Sequence, residues 1–243
     1  MSCLGAGKIV YFIPEKNSGI LKKLIIAIDG PAASGKSTTA KLVASRLGYL
    51  HVDTGAMYRA MTLKVIEHGV DPRDEKAVAK LAAGTRIALV PADGVLKVEL
   101  DGVDVSERIR RPDVTGAVSA VSMVPAVRQL MVKEQREMGR AGAIVLEGRD
   151  IGTVVFPEAD LKIFMIAHSR ERALRRGREL AAQGIPAELE ELEKQIVERD
   201  KKDTTRVLSP LSQATDAIVL DTTALTVEEQ VDFIVKKAKE KLS

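Results

Sequence analysis

Residues 30 to 37 read Gly30-Pro31-Ala32-Ala33-Ser34-Gly35-Lys36-Ser37. The run follows an apolar stretch, Leu24-Ile25-Ile26-Ala27-Ile28, and leads into a helix-like segment, Thr38 to Leu47. Strand, glycine loop and helix in that order make the phosphate-binding pattern G-x-x-x-x-G-K-[ST]. The N–H groups of such a loop and the N-terminus of the next helix converge on an anion. Gly30 and Gly35 permit that backbone, Lys36 reaches the β- and γ-phosphates, and the Ser37 hydroxyl is placed for Mg2+. The donor-binding set is therefore Gly30 to Ser37 with Thr38 beyond it. The loop implies a nucleoside triphosphate and says nothing of the acceptor.

Working outward, five apolar runs read as buried parallel strands: 24–28, 50–52, 143–147, 161–167 and 217–221. Amphipathic segments separate them. Thr38–Leu47 stops at Gly48, 54–68 at Gly69 and 125–138 at Gly139, while Ser169 opens a helix toward Gly184. Thr226-Val227-Glu228-Glu229 is a capping box for a last helix. Strands alternating with helices predict a doubly wound α/β sheet with ligands at the strand C-terminal ends. Two regions break the rhythm. Residues 86–105 alternate with period two around an Asp93-Gly94 turn and read as a small antiparallel excursion. Residues 170–206 are densely charged and read as a helix–loop–helix over the nucleotide site.

The bulk numbers are compatible with one substantial core. The net charge of +3, from 37 basic and 34 acidic residues, gives little support to nucleic-acid binding. The aromatic content is 3% with no tryptophan, so stacking platforms for bases are scarce. Cys3 is the one cysteine, which excludes an intrachain disulfide and fits a cytoplasmic address. No apolar run approaches the ~20 residues that span a bilayer, so no membrane partner is expected. Gly5-Ala6-Gly7-Lys8 resembles a second phosphate loop but lacks the first glycine and the preceding strand. Residues 1 to 22 are expected to be an extension, disordered or arising from the start site, ahead of a single domain over 23–243.

Three clusters could carry the acceptor chemistry. Asp53-Thr54-Gly55-Ala56-Met57-Tyr58-Arg59 follows the second strand, with Thr54 a plausible helix cap and Arg59 in reach of an anion. Glu147-Gly148-Arg149-Asp150-Ile151-Gly152-Thr153 follows the third, where Glu147 can hold Mg2+ through water and Arg149 can clamp a phosphate. Glu198 to Arg206 sets Arg199, Asp203 and Arg206 within about two helical turns. Taken alone, each also reads as an ordinary solvated charge cluster. His51, His68 and His168 show no triad or metal-ligand spacing and read as structural or surface residues.

With these motifs in order, the chain resembles the bacterial cytidylate kinase family. GPAASGKST, DTGAMYRA, SMVPAVRQ, EGRDIGTVVFPEAD and ERDKKDTTR carry the likeness, which covers nearly everything after the extension. It implies a P-loop NTPase fold, three-layer α/β/α with a five-stranded parallel sheet. A small antiparallel β insert at about 84–112 would serve acceptor binding, and a helical lid would span about 170–206. It implies ATP and Mg2+ as cofactors, CMP and dCMP as substrates, and a monomer. By matching motif positions, Thr54, Arg59 and Arg149 would hold the CMP phosphate, and Tyr58 would line the same subsite. Ser119, Arg128 and Asp150 would read the cytosine, and Arg199 and Asp203 would meet the sugar. Lys36, Arg149, Asp150, Arg199 and Arg206 would form the catalytic set, with Ser37 and Glu147 toward the metal. Thr54 stands where serine is common in the family, and Glu147 where aspartate is.

Other readings of the residues stay open at this stage. Another P-loop small-molecule kinase, such as adenylate kinase, shares the loop but not the EGRDIGT pattern. A GTP-binding switch would use Lys201-Lys202-Asp203, yet Asp200 stands where its asparagine belongs.

Overall fold

In this computed structural model the described residues are 23–92, 95–182 and 184–243. The expected extension, 1–22, and the Asp93-Gly94 turn lie outside them.

Residue contacts divide the chain into two compact units, one of residues 23–55 with 128–243, the other 56–127. The first holds a five-stranded parallel sheet of β1 (Ile25–Asp29), β2 (Leu50–Asp53), β6 (Ile144–Gly148), β7 (Leu161–Ile166) and β8 (Ile218–Asp221), in the order β2-β6-β1-β7-β8. All four pairings are parallel. β1 and β6 are almost wholly apolar and buried, as strands covered on both faces must be. The chain passes from β1 out to β2 and back through β6, then crosses to β7, so β1 is where the strand order reverses. Ligand crevices open at the strand C-termini at such a point. Register brings those termini level, with Asp29 beside Gly148 and Asp53 beside Glu147.

Helices α1 (Lys36–Leu47) and α8 (Val227–Leu242) cover this core. Ala40, Val43 and Ala44 of α1 meet Val231, Ile234 and Ala238 of α8 among Ile26, Ile28, Val145 and Ile163 of the sheet. The Thr226 capping box of α8 is present with both reciprocal bonds. Helices α6 (Ser169–Ala182) and α7 (Leu189–Thr205) form the expected helix–loop–helix around Ala173, Leu192 and Ile196.

The second unit contains most of α2 (Thr54–Glu67), α3 (Glu75–Ala83), the antiparallel sheet β3 (Ile87–Ala92), β4 (Val95–Leu100) and β5 (Val103–Asp104), and α4 (Pro112–Met123). The period-two pattern holds: Val98 and Leu100 are buried while Glu99 between them is not. The chain returns through α5 (Pro125–Gly139). Val124, preceding a proline, is extended, which separates α4 from α5.

Helix α3 has no counterpart in the sequence reading. It buries only Val78 and Ala82, too short a stripe to show periodicity, and is set by the Asp74 cap on Ala77 N. α1 begins at Lys36, two residues before the expected Thr38.

Candidate active site

The glycine loop leaves β1 with its backbone dictated by contact. A Cβ on Gly30 would lie 2.1 Å from the Met165 carbonyl oxygen of the neighbouring strand, and φ there is +151°. Ala33 and Gly35 are left-handed, the kind of backbone from which an anion nest is built. Gly35 caps α1 without a side chain, and no acid stands in the first turn, so nothing on the helix itself offsets its positive end.

Lys36 is buried and donates to the Pro31 carbonyl at 2.5 Å and to Ser34 Oγ at 3.3 Å. Burial pushes its ammonium down to about 7, and Arg149 and Arg199 push the same way. Glu147 and Asp29 oppose them. Cations therefore crowd one buried amine.

The tip of β6 meets this loop directly. Ser37 Oγ donates to Glu147 Oε2 at 2.7 Å, and His51 Nε2 lies 3.2 Å from Glu147 Oε1. A buried carboxylate touching a serine hydroxyl is a hard-oxygen pair that suits Mg2+, which takes few protein ligands and keeps waters and phosphate oxygens. Thr54, expected to cap α2, is instead its first residue, and its hydroxyl donates to the Glu147 carbonyl at 2.6 Å. The strand runs into the helix without a break, leaving no separate cap position.

Beyond β6 the backbone passes so close to its neighbours that a Cβ on Gly148 would lie 2.7 Å from Ile151 and 2.8 Å from Thr54 Oγ1. Arg149 then pairs with Asp203 at 3.0 Å, and Asp150 forms a buried pair with Arg128 from α5. Arg206 Nη2 lies 4.0 Å from Asp150 Oδ1. Burial pushes the Arg206 guanidinium below its usual value, with Arg128 and Arg149 adding and Asp150 and Asp203 opposing. Three guanidiniums thus share two carboxylates beside the glycine loop.

The first unit accordingly brings together Lys36, Ser37, Thr54, Arg128, Glu147, Arg149, Asp150, Arg199, Asp203 and Arg206. Tyr58 and Arg59 on α2 and Ser119 on α4 belong to the second unit. Sequence reasoning missed four supporting residues. Arg172 of α6 donates to the Ala32 carbonyl at 3.2 Å and pairs with Asp200 at 2.5 Å. Arg175 donates to the Ser34 carbonyl at 3.3 Å, and Thr222 Oγ1 to the same oxygen at 3.0 Å. Asp29 accepts from the amides of Ile151 and Gly152. Arg172 and Arg175 lie in the charged segment read as covering the nucleotide site but had no individual role there, and Thr222 stands in no motif, while Asp29 could have been found as an acid in the fifth place of an otherwise apolar strand.

A parallel sheet with this loop at its switch point, and a cation-rich cluster facing it, define a P-loop kinase. A family model for cytidylate kinase matches residues 26–240. The chain is 52% identical over 226 residues to the cytidylate kinase of Limosilactobacillus reuteri (91% of this chain, 99% of that one) and 49% identical over 222 residues to that of Ligilactobacillus salivarius (91% and 99%). An uncharacterised protein of Eubacterium ventriosum shares the fold, with TM-score 0.50 and 12% identity over 89% of this chain and 99% of its own. The chain belongs to the cytidylate kinase family. No single helix among the described residues is long and apolar enough to cross a membrane.

Proposed function

We propose that the chain transfers the γ-phosphoryl group of ATP to CMP and dCMP by direct in-line displacement. Family membership supports the substrates. The observation that carries the chemistry is the buried Lys36 of the glycine loop, whose ammonium is disfavoured by burial and by the charges of Arg149 and Arg199. Such like charges repel one another until a polyanion enters, so binding energy is available where negative charge gathers.

The residues divide the work as follows. The loop amides of 30–37 and the α1 N-terminus hold the donor phosphates. Lys36 spans the β- and γ-phosphates, and Arg199 and Arg206 stabilise charge on the transferring group. Thr54, Tyr58, Arg59 and Arg149 hold the acceptor phosphate. Ser119, Arg128 and Asp150 read the base, and Asp203 with Arg199 meets the sugar. Ser37 and Glu147 would hold Mg2+, which when bound supplies charge neutralisation on the donor phosphates. No general base is required, because a phosphate monoester with a second pKa of about 6 is already largely anionic at neutral pH. Helices α6 and α7 act as the lid over 170–206, with Arg172 and Arg175 tying the lid to the loop carbonyls. The antiparallel insert at about 84–112 serves the acceptor side.

The test is a coupled assay comparing CMP, dCMP, UMP and AMP at fixed Mg·ATP. CMP and dCMP are expected to give the highest kcat/KM, and a preference for AMP would overturn the reading.

A further inference from the structure

Asp29 is the last residue of β1 and stands immediately before Gly30. The residue is 5% exposed. Oδ1 accepts from the Ile151 amide at 2.8 Å and Oδ2 from the Gly152 amide at 2.7 Å. These two amides follow Arg149 and Asp150 directly in the chain. Register sets Asp29 beside Gly148, so one strand end reaches across to both ends of the Arg-Asp segment.

The far side of that segment is backed as well. A Cβ on Gly152 would lie 3.1 to 3.3 Å from the Lys162 stem and 3.4 Å from Asp29 Oδ2. Lys162 is itself held, buried, by Asp216 at 2.8 Å and by the Pro157 carbonyl. Gly152 therefore sits between a braced lysine and the Asp29 carboxylate. Residues 151–155 continue as a π-helical turn, a geometry whose first amides need acceptors from outside. Burial of the Asp29 carboxyl opposes ionisation and raises it to about 6, with the two amides pulling the other way. An acid held here at that cost does something an apolar strand residue would not.

We propose that Asp29 is a positioning residue for phosphoryl transfer: its carboxylate clamps the Ile151 and Gly152 amides, and so holds Arg149 and Asp150 in register with the loop that starts at Gly30. The proposal rests on the kinase reading above. Donor loop and acceptor segment are then joined through one side chain, which keeps the two phosphates at a set separation. Misplacement of a positioning group by about 1 Å can cost on the order of a hundredfold in rate.

Asp29→Asn tests it. The amide retains one acceptor and turns a donor toward a donor, at the same volume. The expected result is a rise in KM for CMP of about ten- to a hundredfold, a KM for ATP within about twofold, and a melting temperature within a few degrees. Asp29→Ala, which removes both acceptors, should raise KM for CMP by a similar or larger factor than Asn. In an Arg149→Ala background Asp29→Asn should add little, because its effect passes through that segment. Amide hydrogen exchange at Ile151 and Gly152 should quicken at least about tenfold in Asp29→Asn. That readout needs no activity: wild type failing to phosphorylate CMP would sink the kinase reading, while unchanged exchange would sink the clamp. Equal changes in both KM values, full additivity with Arg149→Ala, or loss of the fold in both Asp29 variants would each overturn the positioning role.

Discussion

Arg128→Ala probes the proposed acceptor side where the geometry is most demanding. Arg128 and Asp150 have side-chain exposures of 7% and 6%, and the ion pair between them is buried. Removing one partner of such a pair costs about 3–5 kcal/mol, because the other charge stays buried. Here Arg206 already lies 4.0 Å from the same carboxylate and can take up part of the lost contact. We expect a net loss of about 2–3 kcal/mol, which for a chain of this size lowers Tm by about 5–10 °C. A hydrogen bond to a charged group contributes about 1.5–3 kcal/mol, so KM for CMP should rise by about ten- to a hundredfold. KM for ATP should stay within about twofold, since the groups proposed to hold the donor lie on the glycine loop. Arg128→Lys keeps the charge but not the fork and should give an intermediate KM for CMP. Steady-state kinetics with each substrate varied in turn, alongside thermal melts, measure all of this. Equal rises in both KM values would remove Arg128 from the acceptor subsite. A Tm drop with neither KM changed would make the pair purely structural.

Lys36→Met should lower kcat by at least about a hundredfold without lowering Tm, because burial is what chiefly depresses the amine and an apolar chain of similar length suits the site better. A large fall in Tm would instead make Lys36 a structural residue. With its ammonium near 7, Lys36 is about nine-tenths neutral at pH 8 in the free protein, and a bound polyphosphate favours the charged form. ATP binding at pH 8 should therefore take up close to one proton, read as a dependence of calorimetric heat on buffer ionisation enthalpy and absent in Lys36→Met; buffer-independent heat would refute it. Gly30→Ala should abolish ATP binding or the fold, since its methyl would meet a strand carbonyl at 2.1 Å. Gly48→Ala has nothing within 4 Å but must hold an L-residue at φ +68°, and should cost about 1–2 kcal/mol in a denaturant melt; similar losses from both would contradict the contact argument.

Much of the site was legible because its parts are local. The glycine loop needs only eight consecutive residues, and its flanking strand and helix are visible in the apolar runs on either side. The same holds for Glu147 to Asp150, whose Gly148 marks a backbone crowded by Ile151 and Thr54. Helix α3 was not legible because two buried residues cannot display a period. Thr54 was misread as a cap because a sequence does not show that β2 and α2 join without a gap.

From sequence alone followed the alternation of strand and helix, the antiparallel excursion, the capping box of α8 and the donor loop. Each rests on short-range periodicity or on residues adjacent in the chain. Only tertiary structure paired Arg128 with Asp150, Arg149 with Asp203 and Ser37 with Glu147. Charge composition is identical whether those side chains meet or point into water. Long-range register of the sheet brings residues from distant strands to one edge, and burial then makes a lysine near pH 7 and an aspartate near 6 out of ordinary side chains.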